Sequence, residues 1–264
     1  MRQTVPEVFF VAETQFLPAA LKRYLTSIGA DTYRLDSEAS GAELLIEVAG
    51  RLCYRSWKPG LNANVKKVRE GNHTYLGNVV KQKHGSVFEH CSVSFIFHNV
   101  SRVFTHELVR HRAGVGISQE SLRYVRLTDI GFRTPPCFEL DLDEDRRARF
   151  KEREAELLEW VESFQRWIAE AYALDSADDF EFKKQVTSAM RRYALLGLST
   201  GILWTANMRA LRHILELRTA LGAEEEIRLV FDKVGYLLST RYPAIFQDFR
   251  RTSDGEWKPE HSKI

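Results

Sequence analysis

Hydrophobic positions in the first third of the chain change their spacing from one segment to the next. An apolar run over residues 7–11 predicts a strand, and apolar residues three or four positions apart over 13–28 predict a helix. The helical spacing returns over 37–53, where Ser37 is the expected N-cap. The chain therefore begins as strand, helix, helix. The side chains expected on the buried face of the second helix are Leu44, Leu45, Val48 and Leu52.

Residues 92–98 show the clearest two-residue alternation in the chain. Val93, Phe95 and Phe97 fall on one face and polar residues on the other, which predicts a half-buried strand. Ser101 is then the expected N-cap of a helix over 101–112, and the segment AGVGIS (113–118) is expected to be an irregular loop.

The second half of the chain is mainly helical in pattern. Apolar residues recur every three or four positions over 150–172 and 227–238, which predicts two long helices, and Pro243 is expected to end the second. Strands and helices are mixed without regular strand–helix–strand repeats, which favours an α+β fold with a small, largely antiparallel sheet packed with long helices. We expect one domain over residues 1–250 and a loose polar tail over 251–264.

Composition narrows the class of protein. The 264 residues include 44% hydrophobic positions, enough for a sizeable core, and 38 basic against 36 acidic residues, which argues against a protein that coats nucleic acid. No run of 18 uncharged apolar residues occurs, so no membrane span is expected. The three cysteines are widely spaced, which favours reduced thiols. We therefore expect a cytoplasmic protein without a membrane partner.

Two familiar motifs occur only in incomplete form. HELVRH (106–111) resembles the zinc-protease motif, but its histidines are five residues apart, roughly 140° around a helix, so they cannot face one ion together. GVGISQ (114–119) starts like a dinucleotide-binding loop, but it follows a predicted helix and lacks the third glycine. We expect neither a metal site nor a Rossmann site.

The segment 110–127 concentrates arginines around a glycine-containing loop. Guanidinium groups can bind phosphate through two parallel hydrogen bonds, and glycine lets the backbone approach an anion closely. A solvated basic helix end is the alternative interpretation. Short hydrogen-bonding side chains in the same segment favour a nucleotide site over that alternative. The cationic residues are Arg110, His111, Arg112, Arg123 and Arg126, and the hydrogen-bonding residues are Ser118, Gln119 and Ser121.

Three spaced motifs resemble those of one enzyme family. R-H-R at 110–112, followed by a loop and S-Q-x-S-x-R-Y at 118–124, resembles the signature of the flavin-dependent thymidylate synthases. KHGSVFEH (83–90) and WTANMRALRHILELR (204–218) resemble the family's upstream and downstream segments, in the same order. The loop from Arg112 to Ser121 is one residue longer than the family's usual spacing.

The resemblance implies an activity and an assembly. The family transfers the methylene of methylenetetrahydrofolate to C5 of dUMP, with FAD as hydride carrier and NADPH as reductant, and yields dTMP. It uses no protein nucleophile, so the flavin supplies the difficult chemistry while the protein binds and orients. The family also implies a homotetramer whose active sites are shared between subunits.

The resemblance also implies roles for single residues of this chain. Arg218 and Ser121 take catalytic roles, and either Arg191 or Arg192 meets the phosphate. The residues implied for FAD are His84, Ser86, Glu89, Arg110, His111, Arg112, Ser118, Asn207, Arg209 and His213. Those implied for the nucleotide are Glu107, Gln119, Ser121, Arg123, Arg191 and Arg218.

Two other functions stay open from the sequence. One is a methylase that acts on C5 of UMP with the same flavin and folate chemistry, because nothing in the sequence identifies what contacts the ribose 2′ position. The other is a non-enzymatic RNA-binding protein that uses 110–126 for charge, with Phe104 and Tyr124 for stacking. The near-neutral net charge disfavours the RNA-binding alternative.

Overall fold

The computed structural model describes residues 1–124 and 130–264, so Arg126 lies outside the described residues. The chain forms two compact units, each assembled from separate stretches of sequence. The first unit comprises residues 1–9, 96–110 and 117–203, and the second comprises 10–95, 111–116 and 204–264.

The secondary structure is α+β with a small antiparallel sheet, as predicted. Four strands form one sheet in the order β1-β2-β4-β3, and β5 pairs with β6 in a separate antiparallel hairpin. The strands are β1 Glu7–Glu13, β2 Ser92–Ser101, β3 Val115–Gln119, β4 Ser199–Asn207, β5 Phe249–Arg251 and β6 Trp257–Pro259. The α-helices are α1 Pro18–Ser27, α2 Gly41–Tyr54, α3 Asn72–Lys81, α4 Arg102–Leu108, α5 Pro136–Leu140, α6 Glu144–Ala171, α7 Phe180–Met190, α8 Met208–Thr219 and α9 Glu225–Arg241. Short 3-10 helices cover Gly85–His90 and Arg191–Tyr193.

The strongest periodic patterns are confirmed. Val93, Phe95 and Phe97 are buried on one face of β2, and the Ser101 hydroxyl accepts a hydrogen bond from the Phe104 N–H at 3.1 Å as the N-cap of α4. Helices α6 and α9 cover the two long predicted segments, and α9 ends at Arg241, before Pro243. The buried stripe of α9 comprises Ile227, Phe231, Val234 and Leu238.

Several helix ends differ from the predictions. Helix α1 begins at Pro18 instead of residue 13, because β1 continues to Glu13 and proline favours the first helical turn. The N-cap of α2 is Ser40 instead of Ser37. Its hydroxyl accepts the Glu43 N–H at 3.3 Å while the Glu43 carboxylate accepts the Ser40 N–H at 2.9 Å, a complete capping box. Helix α4 ends at Leu108, so the R-H-R motif lies beyond the helix.

The predicted buried face of α2 is correct for Leu44, which is buried, but wrong at its C-terminal end. Leu52 is 50% exposed, whereas Glu47 and Arg51 are almost fully buried. The Arg51 Nε donates to Glu47 at 2.7 Å, and its two terminal nitrogens donate to the carbonyl groups of Ser56 and Arg69 at 3.0 and 2.7 Å. Burial of a charge is tolerated where it is paired and its hydrogen bonds are satisfied, which is the case here.

Two segments predicted to lack regular structure are ordered. Residues 115–119 form β3 instead of a loop, and the C-terminal segment forms the β5–β6 hairpin instead of a loose tail. Trp257 fixes the hairpin, because its backbone N–H donates to the Thr219 hydroxyl and its indole N–H to Asp232, both at 2.9 Å. Its ring is buried.

The cysteines all lie in the described part of the chain, and no disulfide joins them there. Cys53 is exposed, Cys91 is buried and Cys137 is half-buried. Burial raises the pKa of the Cys91 thiol to about 12, so it is protonated at neutral pH and is a poor nucleophile. Across residues 1–124 and 130–264, no helix is both long and apolar enough to cross a lipid bilayer.

Candidate active site

The predicted site residues divide between the two units. We call the predicted flavin residues of the second unit the flavin set, and the predicted nucleotide residues of the first unit the nucleotide set. Arg110 and Ser118, predicted for flavin, belong to the first unit, and Arg218, predicted for nucleotide, belongs to the second. The flavin set comprises His84, Ser86, Glu89, His111, Arg112, Asn207, Arg209 and His213. The nucleotide set comprises Glu107, Gln119, Ser121, Arg123 and Arg191.

The 3-10 helix Gly85–His90 carries the first part of the flavin set. Val87 and Phe88 are buried and anchor this turn, while His84, Ser86 and Glu89 are exposed. The imidazole of His84 stacks on the ring of Tyr54, with centroids 5.9 Å apart and planes 21° apart. The segment therefore presents a flat aromatic surface beside a hydroxyl and a carboxylate.

Arg209, near the start of α8, is held at two points. One terminal nitrogen pairs with the Glu89 carboxylate, and Nε donates to the Ile264 carbonyl at 2.8 Å. The side chain is still 45% exposed. Since a guanidinium has five N–H donors in a fixed plane, these two contacts set its orientation and leave three donors for a ligand.

Asn207 connects the loop after R-H-R to helix α8. Its side-chain oxygen accepts the Ala210 N–H at 2.8 Å as the N-cap, and its own N–H donates to the Gly114 carbonyl at 2.9 Å. Gly114 has φ +69°, and a Cβ there would lie 2.3 Å from the Asn207 amide nitrogen. Only glycine fits this position, because both the backbone conformation and the neighbouring amide exclude a side chain.

His111 and Arg218 form a direct pair in the second unit. The Arg218 Nε donates to the His111 Nε2 at 2.7 Å. Because arginine can only donate, the His111 Nε2 is an acceptor, and the proton of the neutral imidazole is on Nδ1. The structure thus joins a predicted catalytic arginine to a histidine of the flavin set.

Two arginines of the nucleotide set converge on one serine of α7. The Arg123 Nε donates to the Ser188 hydroxyl at 3.1 Å, and the Arg191 Nε donates to the Ser188 carbonyl at 3.1 Å. Within residues 1–124 and 130–264, the hydrogen bonds of both guanidinium groups to Ser188 are made by Nε, which leaves their terminal nitrogens for other partners. Each guanidinium can donate two parallel hydrogen bonds, so two of them held on one residue suit a phosphate group.

A third cation, Arg102, accompanies this pair. A terminal nitrogen of Arg102 donates to the Glu120 carbonyl at 3.3 Å, and the next residue along α4 donates its N–H to the Leu196 carbonyl at 3.3 Å. Burial lowers the pKa of Arg102, the charge of Glu120 opposes that shift, and the positive charge of Arg191 adds to it. The positive charges of Arg102 and Arg191, both in the first unit, are therefore close enough to repel each other.

A cavity of about 530 Å³ opens beside the two arginines. Gln165 lies in its wall and is 2% exposed, and its side-chain oxygen is buried without a hydrogen-bond partner among the described atoms. Apolar side chains share the lining with five basic residues and two carboxylates, Glu170 and Asp175, so positive charge is in excess, which suits an organic anion. Other lining residues are Arg123, Leu174, Phe180, Met190 and Arg191.

The remaining members of the nucleotide set lie on neighbouring elements. Glu107 is half-buried on α4, and Gln119 ends β3, where its amide donates to the Thr105 hydroxyl at 3.2 Å. The Ser121 hydroxyl oxygen accepts the Arg123 N–H at 3.3 Å, so its own proton can be donated elsewhere. Arg191 lines the cavity with Arg123, which favours it over Arg192 for the phosphate.

The sequence analysis missed two residues of this arrangement. Ser188 precedes Arg191 by three positions on a helix, a spacing that places them on one face, and this was the available signal. Arg102 follows the N-cap Ser101 and carried no signal, because its relation to Arg191 depends on the tertiary structure.

Comparisons with known proteins agree on one family. The family model described as thymidylate synthase complementing protein matches residues 34–244. The flavin-dependent thymidylate synthase of Mycobacterium bovis (strain BCG / Pasteur 1173P2) is 34% identical over 264 residues, covering 96% of this chain and 94% of that protein. The enzyme of the same name from Mycobacterium marinum is 34% identical over 255 residues, with the same coverage.

A solved structure shares the fold. A UMP/dUMP methylase, PolB from Streptomyces cacaoi bound with 5-Br UMP, superposes with a TM-score of 0.63 at 18% identity, covering 93% of this chain and 94% of that one. This likeness concerns the fold, whereas the family model and the curated relatives concern the sequence. From these matches, the chain belongs to the flavin-dependent thymidylate synthase family.

Proposed function

We propose that the protein synthesises dTMP by transferring the methylene of methylenetetrahydrofolate to C5 of dUMP and reducing it, with FAD as hydride carrier and NADPH as reductant. Membership of the family supports the reaction class. The observation that carries the nucleotide part is the anchoring of Arg123 and Arg191 on Ser188, which leaves two guanidinium forks for a phosphate dianion.

The flavin set fits FAD in its chemistry. The three remaining donors of Arg209, together with the exposed Arg112, suit an anionic pyrophosphate, and the stacked pair of His84 and Tyr54 suits a planar ring. Bound flavin would supply the hydride transfer. Residues of this chain bind and orient, which agrees with a buried, protonated Cys91 that cannot act as a nucleophile.

Arg218 and Ser121 have the properties that their catalytic roles need. The hydrogen bond to His111 orients the Arg218 guanidinium, whose positive charge can stabilise negative charge that develops on the uracil carbonyl as C5 becomes nucleophilic. Ser121 accepts a backbone N–H and can donate its hydroxyl proton to the nucleotide. Fixed donors stabilise such charge better than mobile ones because they need no reorganisation.

We also infer a cytoplasmic homotetramer with active sites shared between subunits, and one family domain over residues 1–250. The support is the resemblance to the family. Light scattering coupled to size exclusion should return the mass of four chains. Mixed tetramers of Arg218→Ala and Arg123→Ala chains should recover part of the activity that each variant lacks alone, because a shared site can draw its intact residues from different copies.

The decisive experiment is release of tritium from C5-labelled nucleotide. Purified protein would be supplied with FAD, NADPH and methylenetetrahydrofolate, with labelled dUMP and labelled UMP in parallel. Release from dUMP alone supports thymidylate synthesis. Release from UMP would instead identify a uridylate C5-methylase, a second candidate that the fold shared with the UMP/dUMP methylase brings into the test.

The RNA-binding alternative makes the opposite prediction. A protein that binds RNA through 110–126 should show affinity that falls steeply with salt and should hold no flavin. Flavin absorbance of the protein after incubation with FAD and gel filtration separates the two functions. Retained flavin with no salt-dependent RNA affinity supports the enzyme.

A further inference from the structure

The last residues of the chain lie against the flavin set. Ile264 is 7% exposed, and its carbonyl oxygen accepts the Arg209 Nε–H at 2.8 Å. A Cβ on Gly85 would lie 2.1 Å from the Ile264 carbonyl carbon. Glycine between His84 and Ser86 therefore makes room for backbone from the opposite end of the second unit.

This contact is supported along the whole segment 260–264. The N–H groups of Glu260 and His261 donate to the backbone and side-chain oxygens of Asp248 at 2.9 and 3.3 Å. Asp248 is itself buried in a two-point ion pair with Arg212, at 2.8 and 2.9 Å. The Ser262 hydroxyl donates to Glu216 on α8 at 2.6 Å. The segment is thus tied to the same helix that carries Arg209.

The Ile264 carbonyl changes what Arg209 can do. Glu89 alone would hold one terminal nitrogen and allow the guanidinium plane to rotate about that contact. A second acceptor at Nε fixes the guanidinium plane, so each of the three remaining N–H donors points in a fixed direction. Orientation before binding reduces the entropy lost when a ligand is bound.

We propose that residues 262–264 are a positioning element for Arg209, which set its guanidinium for an anionic group of the flavin. The inference rests on the proposed function, since it takes FAD as the ligand of Arg209. It assigns Ile264 a positioning role through its main-chain oxygen, and it explains why residue 85 is glycine.

The test is a double-mutant cycle on flavin affinity. Deletion of Lys263 and Ile264 removes the carbonyl and leaves Ser262 in place. We expect the deletion to weaken FAD binding about tenfold, the effect of losing one hydrogen bond to a charged group. In the Arg209→Ala background the same deletion should change FAD affinity less than about twofold, because its effect passes through Arg209. Affinity for labelled dUMP should be unchanged in both backgrounds.

Two further variants keep the test independent of folding. Gly85→Ala should displace Ile264, and also the Arg209 Nε that would lie 2.9 Å from the new Cβ, and should weaken FAD binding, again only while Arg209 is present. Glu260→Ala is the control, since its carboxylate is 77% exposed and contacts only the neighbouring His261 imidazole, at 3.7 Å among the described residues, while its backbone N–H holds the segment on Asp248. Equal weakening with and without Arg209, or no weakening, would overturn the inference. An intact protein that binds no FAD would overturn the proposed function itself.

Discussion

The flavin set and the nucleotide set hold their arginines by the same device and differ in charge balance. In both, Nε of a guanidinium is held by a fixed acceptor, as in Arg209 and Arg123, although one terminal nitrogen of Arg209 is also paired with Glu89. Arg209 is paired with the Glu89 carboxylate, whereas Arg191 contributes positive charge that lowers the pKa of a neighbouring arginine, Arg102.

The difference indicates what each set can bind. An arginine paired with a carboxylate still donates hydrogen bonds in fixed directions, but it attracts an anion only weakly. The flavin set should therefore bind its ligand through shape and hydrogen bonds. Arginines that are not paired directly with a carboxylate attract an anion more strongly and are stabilised by it, so the nucleotide set should respond more to ionic strength. Arginine thus orients the ligand in the second unit and attracts it by charge in the first.

The largest expected effect tests Arg218, which is predicted for the nucleotide but lies in the second unit, beside His111 of the flavin set. Arg218→Ala should lower kcat about 100- to 1,000-fold, the usual cost of removing one donor to developing negative charge, while FAD affinity stays within a few fold. Single-turnover kinetics and flavin titration measure the two quantities. Arg228→Ala is the control, because this arginine of the same unit makes one hydrogen bond to a backbone carbonyl. If the variant instead lost flavin but kept a normal turnover per bound flavin, Arg218 would be a flavin-binding residue and not a catalytic one.

The next effect separates the two sets directly. Arg123→Ala should weaken dUMP binding about 10- to 100-fold, because a charge-assisted contact to phosphate is lost, and should leave FAD affinity unchanged. Equilibrium dialysis at two salt concentrations checks this, and the variant should also show a shallower salt dependence. Arg149→Ala, an exposed arginine on α6, supplies the control. Equal loss of both ligands would contradict the division into two sets.

A glycine pair tests how rigidly the flavin set is built. Gly114→Ala should destabilise the fold by about 1–3 kcal/mol, since alanine is strained at φ +69°, and its Cβ would displace Asn207 and weaken FAD binding. Gly116→Ala is the matched control, two residues away, where the nearest heavy atom to a new Cβ is 3.7 Å distant. Denaturant unfolding and flavin titration measure both variants. Similar results for the two glycines would show that the Asn207 contact is unimportant.

Local sequence patterns predicted the elements whose position depends mainly on the burial of one apolar face. The alternation at Val93, Phe95 and Phe97 identified β2 because one face of that strand is wholly apolar and buried. The buried face of α2 could be predicted only in part, since Leu44 is buried as expected but Leu52 is not. Glu47 and Arg51 resemble surface residues in the sequence, and they are buried only because they pair with each other and with backbone carbonyls that come from the following loop.

The candidate site shows the same limit. Motif resemblance supplied Arg123, Arg191 and Arg209, but their anchors are a serine hydroxyl on α7 and a carbonyl in a segment expected to be a loose tail. Neither anchor has a sequence signal of its own, because any residue supplies a carbonyl and serine is common. The chemistry of the site could be predicted, whereas the means of orienting it needed tertiary structure.

The smallest expected effect concerns acid. Hydrogen bonds from Arg241 and Tyr242 lower the pKa of Glu13, and a hydrogen bond from Arg251 lowers that of Asp232, both in the second unit. A carboxylate with a lowered folded pKa stabilises the fold above its ordinary pKa, and this contribution is lost as pH falls through the folded value. Thermal unfolding of the protein should therefore lose stability from about pH 4 downward, where free carboxylates titrate.

Glu13→Gln isolates one such contribution. The variant should be less stable than the parent at pH 7 by at most about 1 kcal/mol, because the pair is partly solvated, and the two should converge as pH falls below the lowered folded pKa of Glu13. Glu7→Gln, at an exposed position of the same strand, should stay parallel to the parent throughout. If the acid loss arises in the second unit, flavin should be released at a higher pH than nucleotide. Simultaneous release would mean that the two sets share one cooperative stability, and the contrast between them would then lie in their charges alone.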